Sequence, residues 1–574
     1  MLLTALREYA DANKHLPDFH SRQPVPYAID LDRDGNFVTF REVDEPLTIP
    51  YVTRTSTIVA LPLDRGDYTL GLVPLKKTDA DQTKAASRTP RAHEAYVALL
   101  SEAAAATGLP EFAAMHRFAS TVDAQALPLP DGFDASRFVA VYVDRQLVTK
   151  NPVAQRWWAA RLSAGRAMTA AAARPCSVCG GESSPAEAIP VPIRGLTSLG
   201  GQATMALISG KSPDHEVYER HGLPWGTGAS ICLACGEATH SVLNQLIADP
   251  FHAKRLGKVL YVWWSPAEAD DFVAALISGD SDEAVAATLD SVLTGRPEPG
   301  LDPLRFIGVS LGANSARVVV RSWTDVTIGT VKANLRRWFG RTSVVGRSGS
   351  QPRALGAFVL LASVAPPGQG SSLSRLDPSL VETVITAALE GSGLPPSLLS
   401  HTLARTRAEL GHLTAARAAL LKACITPADH PSPEKHMTAL DTSSTDTAYL
   451  CGRLLALLDE AARLATSANN ALVDRSYSAA STMPAITFTR LLRLHRAHLD
   501  KLRRNKRGAA VRIDQTVTEI LGGIRDLPRT FSIAEQARFA LGLYHQQAEG
   551  HAARERAGAA RLLSEDQSTQ EDEA

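Results

Sequence analysis

Four of the six cysteines in this 574-residue chain stand as two tight pairs, Cys176-Ser-Val-Cys179-Gly180 and Cys232-Leu-Ala-Cys235-Gly236. A two-residue spacer lets both thiolates reach one ion while backbone N–H groups turn toward the sulfurs, and the glycine accommodates the tight turn that follows. Together the two knuckles offer a closed set of four thiolates. Closed coordination leaves no position for a reacting water, so the expected cofactor is a structural Zn2+. A redox dithiol pair and an iron–sulfur cluster draw on the same residues, but a glycine after each pair favours zinc. The stretch 180–231 between the knuckles exceeds a minimal zinc ribbon, so an insertion is embedded in a zinc-ribbon-like module at about 174–240. His215, His221 and His240 read as ordinary polar residues rather than ligands.

Other reactive constellations are missing. The chain holds no G-x-x-x-x-G-K-[ST], no His-Asp metal pair and no G-x-S-x-G elbow. Asp30-Leu-Asp32-Arg-Asp34-Gly35 begins like a calcium loop. Arg41 stands where the bidentate glutamate belongs, so a hairpin turn explains it better. His495 and His498 lie three apart on a helix, but Arg496 and Lys501 beside them oppose a cation. The expectation is a binding protein, not an enzyme.

Binding chemistry resides in bases. In the hairpin Phe306–Trp323, with its turn expected at Gly312-Ala313-Asn314, strand alternation sets Val318 and Val320 against Arg317, Val319, Arg321 and Trp323. Two guanidinium groups and an indole suit a phosphate backbone and a base or sugar face; solvated arginines on an edge hairpin are the plainer alternative. Between Asp325 and Asp377 the chain has no acid; Arg336 and Arg337 adjoin Trp338-Phe339 there. A polar loop carries Lys76, Lys77 and Lys84. The helix and tail 484–512 hold nine Lys/Arg against one acid, Asp500, with Arg503, Arg504, Lys506 and Arg507 in a compact cluster. Asn314, Arg317, Arg321, Arg336, Arg337, the cluster of Arg503, Arg504, Lys506 and Arg507, and the loop lysines Lys76, Lys77 and Lys84 are the candidate nucleic-acid contacts.

These groups need elements to hold them. The expected fold is α+β: a mixed α/β N-terminal region over 1–375 with the four-cysteine module embedded, then an all-α helical bundle over 376–574, where strands vanish and Ala, Leu, Arg and Glu dominate. The tail 564–574 has five acids and no base, and is expected to be disordered. Sixty Lys+Arg balance sixty Asp+Glu, so only local clustering speaks for nucleic acid. No apolar run suits a membrane span and the N-terminal segment is an amphipathic helix, so a cytoplasmic protein without a membrane partner is expected.

Several segments resemble one family. L-x-x-N-x-A-R at 311–317 before a strand ending in Trp, DRGDYTLG at 64–71, AYLCGRLLALLDEAARLA at 448–465, the stretch VDRSYSAASTMPAITFTRLL and SIAEQARFALGLYHQQ at 532–547 occur in the order found in the Csd-type large subunit of the type I-C CRISPR Cascade. Arg65 departs from the family's usual Asn, and Ser476 stands where the family tends to an aromatic. The resemblance implies a non-catalytic subunit of an RNA-guided surveillance complex. Such a subunit recognises the protospacer-adjacent motif (PAM) on target double-stranded DNA, helps open the duplex, binds the displaced strand and recruits the helicase-nuclease, while guide pairing reads the sequence. The implied partners also include crRNA-bearing backbone subunits, the crRNA-processing subunit, and a small subunit translated from an internal start, for which Met437 is the first candidate. A free-standing zinc-ribbon nucleic-acid-binding protein is the alternative.

Overall fold

The computed structural model describes the chain except for residues 14–16, 18, 52–57, 77, 167–172, 184, 187–188, 190, 209–229, 266–301, 354, 370–371, 410–411, 467–471 and 573–574. The architecture is mixed α/β toward the N-terminus and helical toward the C-terminus, with the four cysteines in one cluster. It divides into two compact units, Met1–Ala248 with Ala313–Val319, and Asp249–Gly312 with Val320–Ala574.

The first unit opens with α1 (Leu2–Ala12), β1 (His20–Gln23), β2 (Tyr27–Leu31), β3 (Phe37–Glu42) and β4 (Leu47–Pro50). β5 (Asp64–Arg65) leads into a single helical turn, α2 (Gly66–Thr69). Then come α3 (Asp79–Thr107), α4 (Pro110–Thr121), β6 (Phe138–Val143), β7 (Gln146–Leu147) and α5 (Pro152–Arg166). β2 pairs parallel with β6, Ile29 opposite Val141, and β3 and β5 flank them antiparallel. One face of this sheet packs its β-branched residues against Tyr96, Leu100, Phe112 and Trp158 in a single core. The carboxylate run is a hairpin turn: Asp32 Oδ1 accepts the Asn36 N–H at 2.8 Å, and Arg41 pairs with Asp30 at 3.0 Å. Gly35 sits at φ 82°, and a Cβ there would lie 2.5 Å from the Ala114 carbonyl oxygen, so the turn requires glycine.

The two-residue strands β8 (Arg174–Pro175) and β9 (Glu182–Ser183) pair antiparallel, and α6 (Leu233–Ala248) completes this unit.

β10 (Ala253–Leu256), β11 (Val259–Trp264), β12 (Arg305–Asn314) and β13 (Arg317–Thr327) form one sheet in that order; it belongs to the second unit except for the hairpin end Ala313–Val319, which counts with the first. Every residue of β11 is buried. The hairpin turn falls at Asn314–Arg317, with Ser315 at φ 52°, three residues beyond the expected Gly312. Gly312 serves packing instead: a Cβ there would lie 2.9 Å from Arg321 Cδ. β13 is an edge strand, so Val320 is 41% exposed rather than in a core. Trp323 meets the buried Trp264 edge-on at 6.2 Å, so the indole expected on a solvent face is packed.

Helices follow: α7 (Ile328–Thr342), α8 (Ala357–Ala362), α9 (Pro378–Glu390), α10 (Pro396–Ala408), α11 (Ala415–Ile425), α12 (Thr447–Thr466), α13 (Leu472–Thr482), α14 (Pro484–Asn505), α15 (Arg507–Gly523) and α16 (Ile533–Asp572). Trp263, Phe306, Trp338 and Phe339 share one apolar core with α9 to α16. The compact division therefore falls after residue 248, not after 375: the sheet and α7 bury their apolar sides with the bundle. α16 continues to Asp572, so the expected disordered tail at 564–574 is helical over most of its length. The alanine-rich sequence before it propagates a helix, and no Gly or Pro intervenes after Gly558.

Buried cations tie this core together. Lys422 Nζ donates to Gly340 O at 2.9 Å, Ser343 O at 2.7 Å and Thr438 Oγ1 at 2.7 Å. Burial pushes its pKa down to about 7. Arg341 donates to Ala423 O at 2.7 Å. Among the described residues, no helix is long and apolar enough to cross a membrane.

Candidate metal centre and basic surfaces

The first knuckle is the turn between β8 and β9, and the second is the start of α6. The second knuckle thus departs from a ribbon: the chain enters a helix directly after Cys232, and Leu233, Cys235, Leu243 and Leu246 are buried along it. The four sulfurs lie within 4.8 Å of one another, Cys179 and Cys232 at 4.0 Å. A tetrahedral ion with Zn–S bonds of about 2.3 Å places sulfurs roughly 3.8 Å apart, so the set fits zinc. Val178 N and Cys232 N donate to Cys176 Sγ at 3.4 and 3.3 Å, and Cys235 N donates to Cys232 Sγ at 3.4 Å. The Arg7 guanidinium reaches Cys235 Sγ at 3.7 Å from α1. Burial opposes ionisation of Cys176, but backbone N–H groups of Cys232, Cys179 and Val178 outweigh it and bring its thiol down to about 6. Burial and the neighbouring thiols hold Cys235 well above the usual range, and burial raises Cys232. A cation among them is what makes four thiolates compatible.

His240 is not a ligand. Its ring is 1% exposed, and Nδ1 donates to Val191 O at 2.6 Å. Burial lowers its pKa to about 4, and burial lowers that of His545, bonded to the Tyr449 hydroxyl at 3.0 Å, to about 3. Both stay neutral in the folded chain while the unfolded chain takes up protons below about pH 6.5. Stability is therefore expected to fall as pH drops below 6.5, by about 1.4 kcal/mol per unit for each histidine, until the folded values are reached. Urea titrations at pH 7.5 and 5.0 check this; identical midpoints would exclude it. His215 and His221 lie outside the described residues.

The expected nucleic-acid contacts separate into groups. Lys76 and Lys84 line a cavity of ≈ 350 Å³ with Arg65 and Arg88, whose charges are partly met by Asp67 at 3.0 and 3.3 Å. Lys77 is outside the described residues. Asn314 is exposed at the hairpin turn and Arg317 is half-buried beside it. Arg321 is ion-paired with Glu382 of α9, so its charge is used within the fold. Arg336 and Arg337 are exposed on α7, while Trp338 and Phe339 are core residues and Lys332 pairs with Asp302 at 3.1 Å. Amphipathic winding explains the correction: two adjacent arginines face out because the next two aromatics face in.

The basic helix is the most extended surface. Arg503 pairs with Asp500 and Asp514 at 3.2 and 3.0 Å. Arg504, Lys506 and Arg507 straddle the α14–α15 junction and are exposed. Arg490, Arg493, Arg496 and Lys501 join them, and among the described residues none of these seven has a carboxylate partner. Arg490, Arg493, Lys501 and Arg504 recur at helical steps, a stripe about 21 Å long. The first four bases are absent from the sequence-based candidate set, although their spacing on a helix starting at Pro484 gives the signal.

No curated protein matches the chain significantly. The model of the CRISPR-associated protein family Cas_Csd1 matches residues 4–550, nearly the whole chain, and the chain belongs to that family.

Proposed function

We propose that the protein is the non-catalytic large subunit of a type I-C CRISPR Cascade. It recognises the PAM on target duplex DNA, helps open the duplex, holds the displaced strand and recruits the helicase-nuclease. The observation that carries this reading is the set of seven exposed bases between Arg490 and Arg507 that have no carboxylate partner among the described residues, on a chain of this family. Exposed bases with no acid to pair with are free to meet the phosphates of a nucleic-acid strand. The Arg65–Arg88 cavity and the hairpin tip supply further positive surface for duplex contact. Structural zinc in the four-cysteine centre holds α6 to the β8–β9 turn and plays no part in chemistry.

The remaining partners are the crRNA-bearing backbone subunits, the crRNA-processing subunit and a small subunit started internally, with Met437 the first candidate. Co-expression with the neighbouring genes and purification through a tag on this chain tests the proposal. The expected result is a complex carrying guide RNA of uniform length that retains PAM-containing duplex. Purification of the chain alone, free of RNA, from cells making all the subunits would reject it.

A further inference from the structure

The first unit holds a second cavity, of ≈ 390 Å³, between the β1–β4 ladder, the loop ending at Gly195 and the C-terminal half of α6. Arg22, Arg194, Tyr51 and the Gln245 amide line it, over apolar surface that includes Val191 and Ile247. Its walls are built rather than incidental. The Arg194 N–H donates to Asn244 Oδ1 at 2.9 Å, and Asn244 Nδ2 donates to Pro192 O at 2.9 Å. Gly195 sits at φ 84°, where a Cβ would lie 2.7 Å from Ile247 Cγ2, so the loop seats on α6 only with glycine there. The Arg194 guanidinium lies 5.3 Å over the Tyr51 ring and donates to its hydroxyl. No carboxylate lines the cavity among the described residues, and neither Arg22 nor Arg194 has one as a partner.

Those features select a ligand. Two cations without an acid ask for an anion, best a phosphate, which guanidinium groups bind in bidentate fashion. A tyrosine–arginine stack beside apolar surface asks for a flat aromatic ring. A free amide offers both a donor and an acceptor to a ring edge. We infer that this cavity binds a single nucleotide, its base against the Tyr51–Arg194 stack and its phosphate on Arg22 and Arg194. The nucleotide is either free or one unit of a strand; the inference stands on this cavity and does not require the α14 surface.

Calorimetric titration of the full chain tests it. The probes are AMP, adenosine, and a ten-nucleotide deoxyadenosine strand added to a variant in which Arg490, Arg493, Arg504 and Arg507 are alanine. The expected result is saturable one-to-one binding of AMP or of the strand, weakened at least tenfold by Arg194→Ala. Adenosine should bind at least tenfold more weakly than AMP. Binding of the strand alone identifies a nucleotide within a strand, and binding of AMP alone a free one. If Arg194→Ala lowers the melting temperature, Arg22→Ala, at an exposed position, reads the same loss in an intact fold. Binding of neither probe, or binding indifferent to Arg22 and Arg194, would overturn the inference while leaving guide-RNA co-purification untouched.

Discussion

Serine at Cys176 and Cys232 is expected to take the zinc content from one ion per chain to near none and to destabilise the first unit. The serine hydroxyl does not ionise near neutral pH, so two of four ligands vanish and the closed set collapses. Structural zinc in small domains is worth about 10–16 kcal/mol. Part of that is recovered here because the adjoining sheet has its own core, but a loss of several kcal/mol is expected in the same measurement series. Metal content by mass spectrometry and thermal melting are the two readouts. Cys424 and Cys451, distant in sequence and outside the cluster, provide the control: their alanine variants keep the ion. Unchanged zinc in the double serine variant would refute the site, and a coloured chromophore lost with the cysteines would assign an iron–sulfur cluster instead. The Arg7→Ala variant adds a finer test, because Arg7 donates to Cys235 Sγ: it should retain zinc but release it faster to a chelator.

Alanine at Arg490, Arg493, Arg504 and Arg507 together is the second large effect. All four are exposed, and none has a carboxylate partner among the described residues. If each meets one phosphate, the slope of log affinity against log salt falls by about 3 for a single strand, a loss on the order of 10²–10³-fold at 0.1 M salt. Removing exposed, unpaired side chains changes stability by roughly 0.5 kcal/mol or less, so melting should be unaffected. Arg321→Ala is the contrast. Its ion pair with Glu382 lies within the fold, so the salt slope should stay put while stability declines slightly. A quadruple variant with the parental slope would show that the stripe meets no nucleic acid.

Local patterns carried further than long-range ones. Several helices from Pro378 onward announce their starts: Pro378, Pro396 and Pro484 stand at the first turn, and Asp377 caps the first of them through the Ser379 N–H. Leu472–Thr482 carries a weaker helix signal, because its serine-rich sequence has low intrinsic propensity; packing of Tyr477 and Ala480 holds it. The hairpin was visible, but its turn was displaced: Gly312 was the obvious turn residue, yet it is needed to admit Arg321 across β12. Trp323, Trp338 and Phe339 have the composition of a stacking platform and the location of a core.

The two cysteine pairs were legible in the sequence itself, since a two-residue spacer lets both sulfurs of a pair face one point, while folding brought the pairs within 4.8 Å of each other. So were the hairpin at Asp32–Asn36, the helical character of the C-terminal part and the clustering of bases after Pro484. Only the tertiary structure decided which of those bases remain available. Arg321 and Arg503 lose their freedom to acids brought near by folding, whereas Arg490 and Arg493 keep theirs. It alone assembled the cavity of Arg22, Tyr51, Arg194 and Gln245, whose members stand far apart along the chain. Charge and spacing are properties of a segment; exposure, pairing and enclosure are properties of what the rest of the chain places against it.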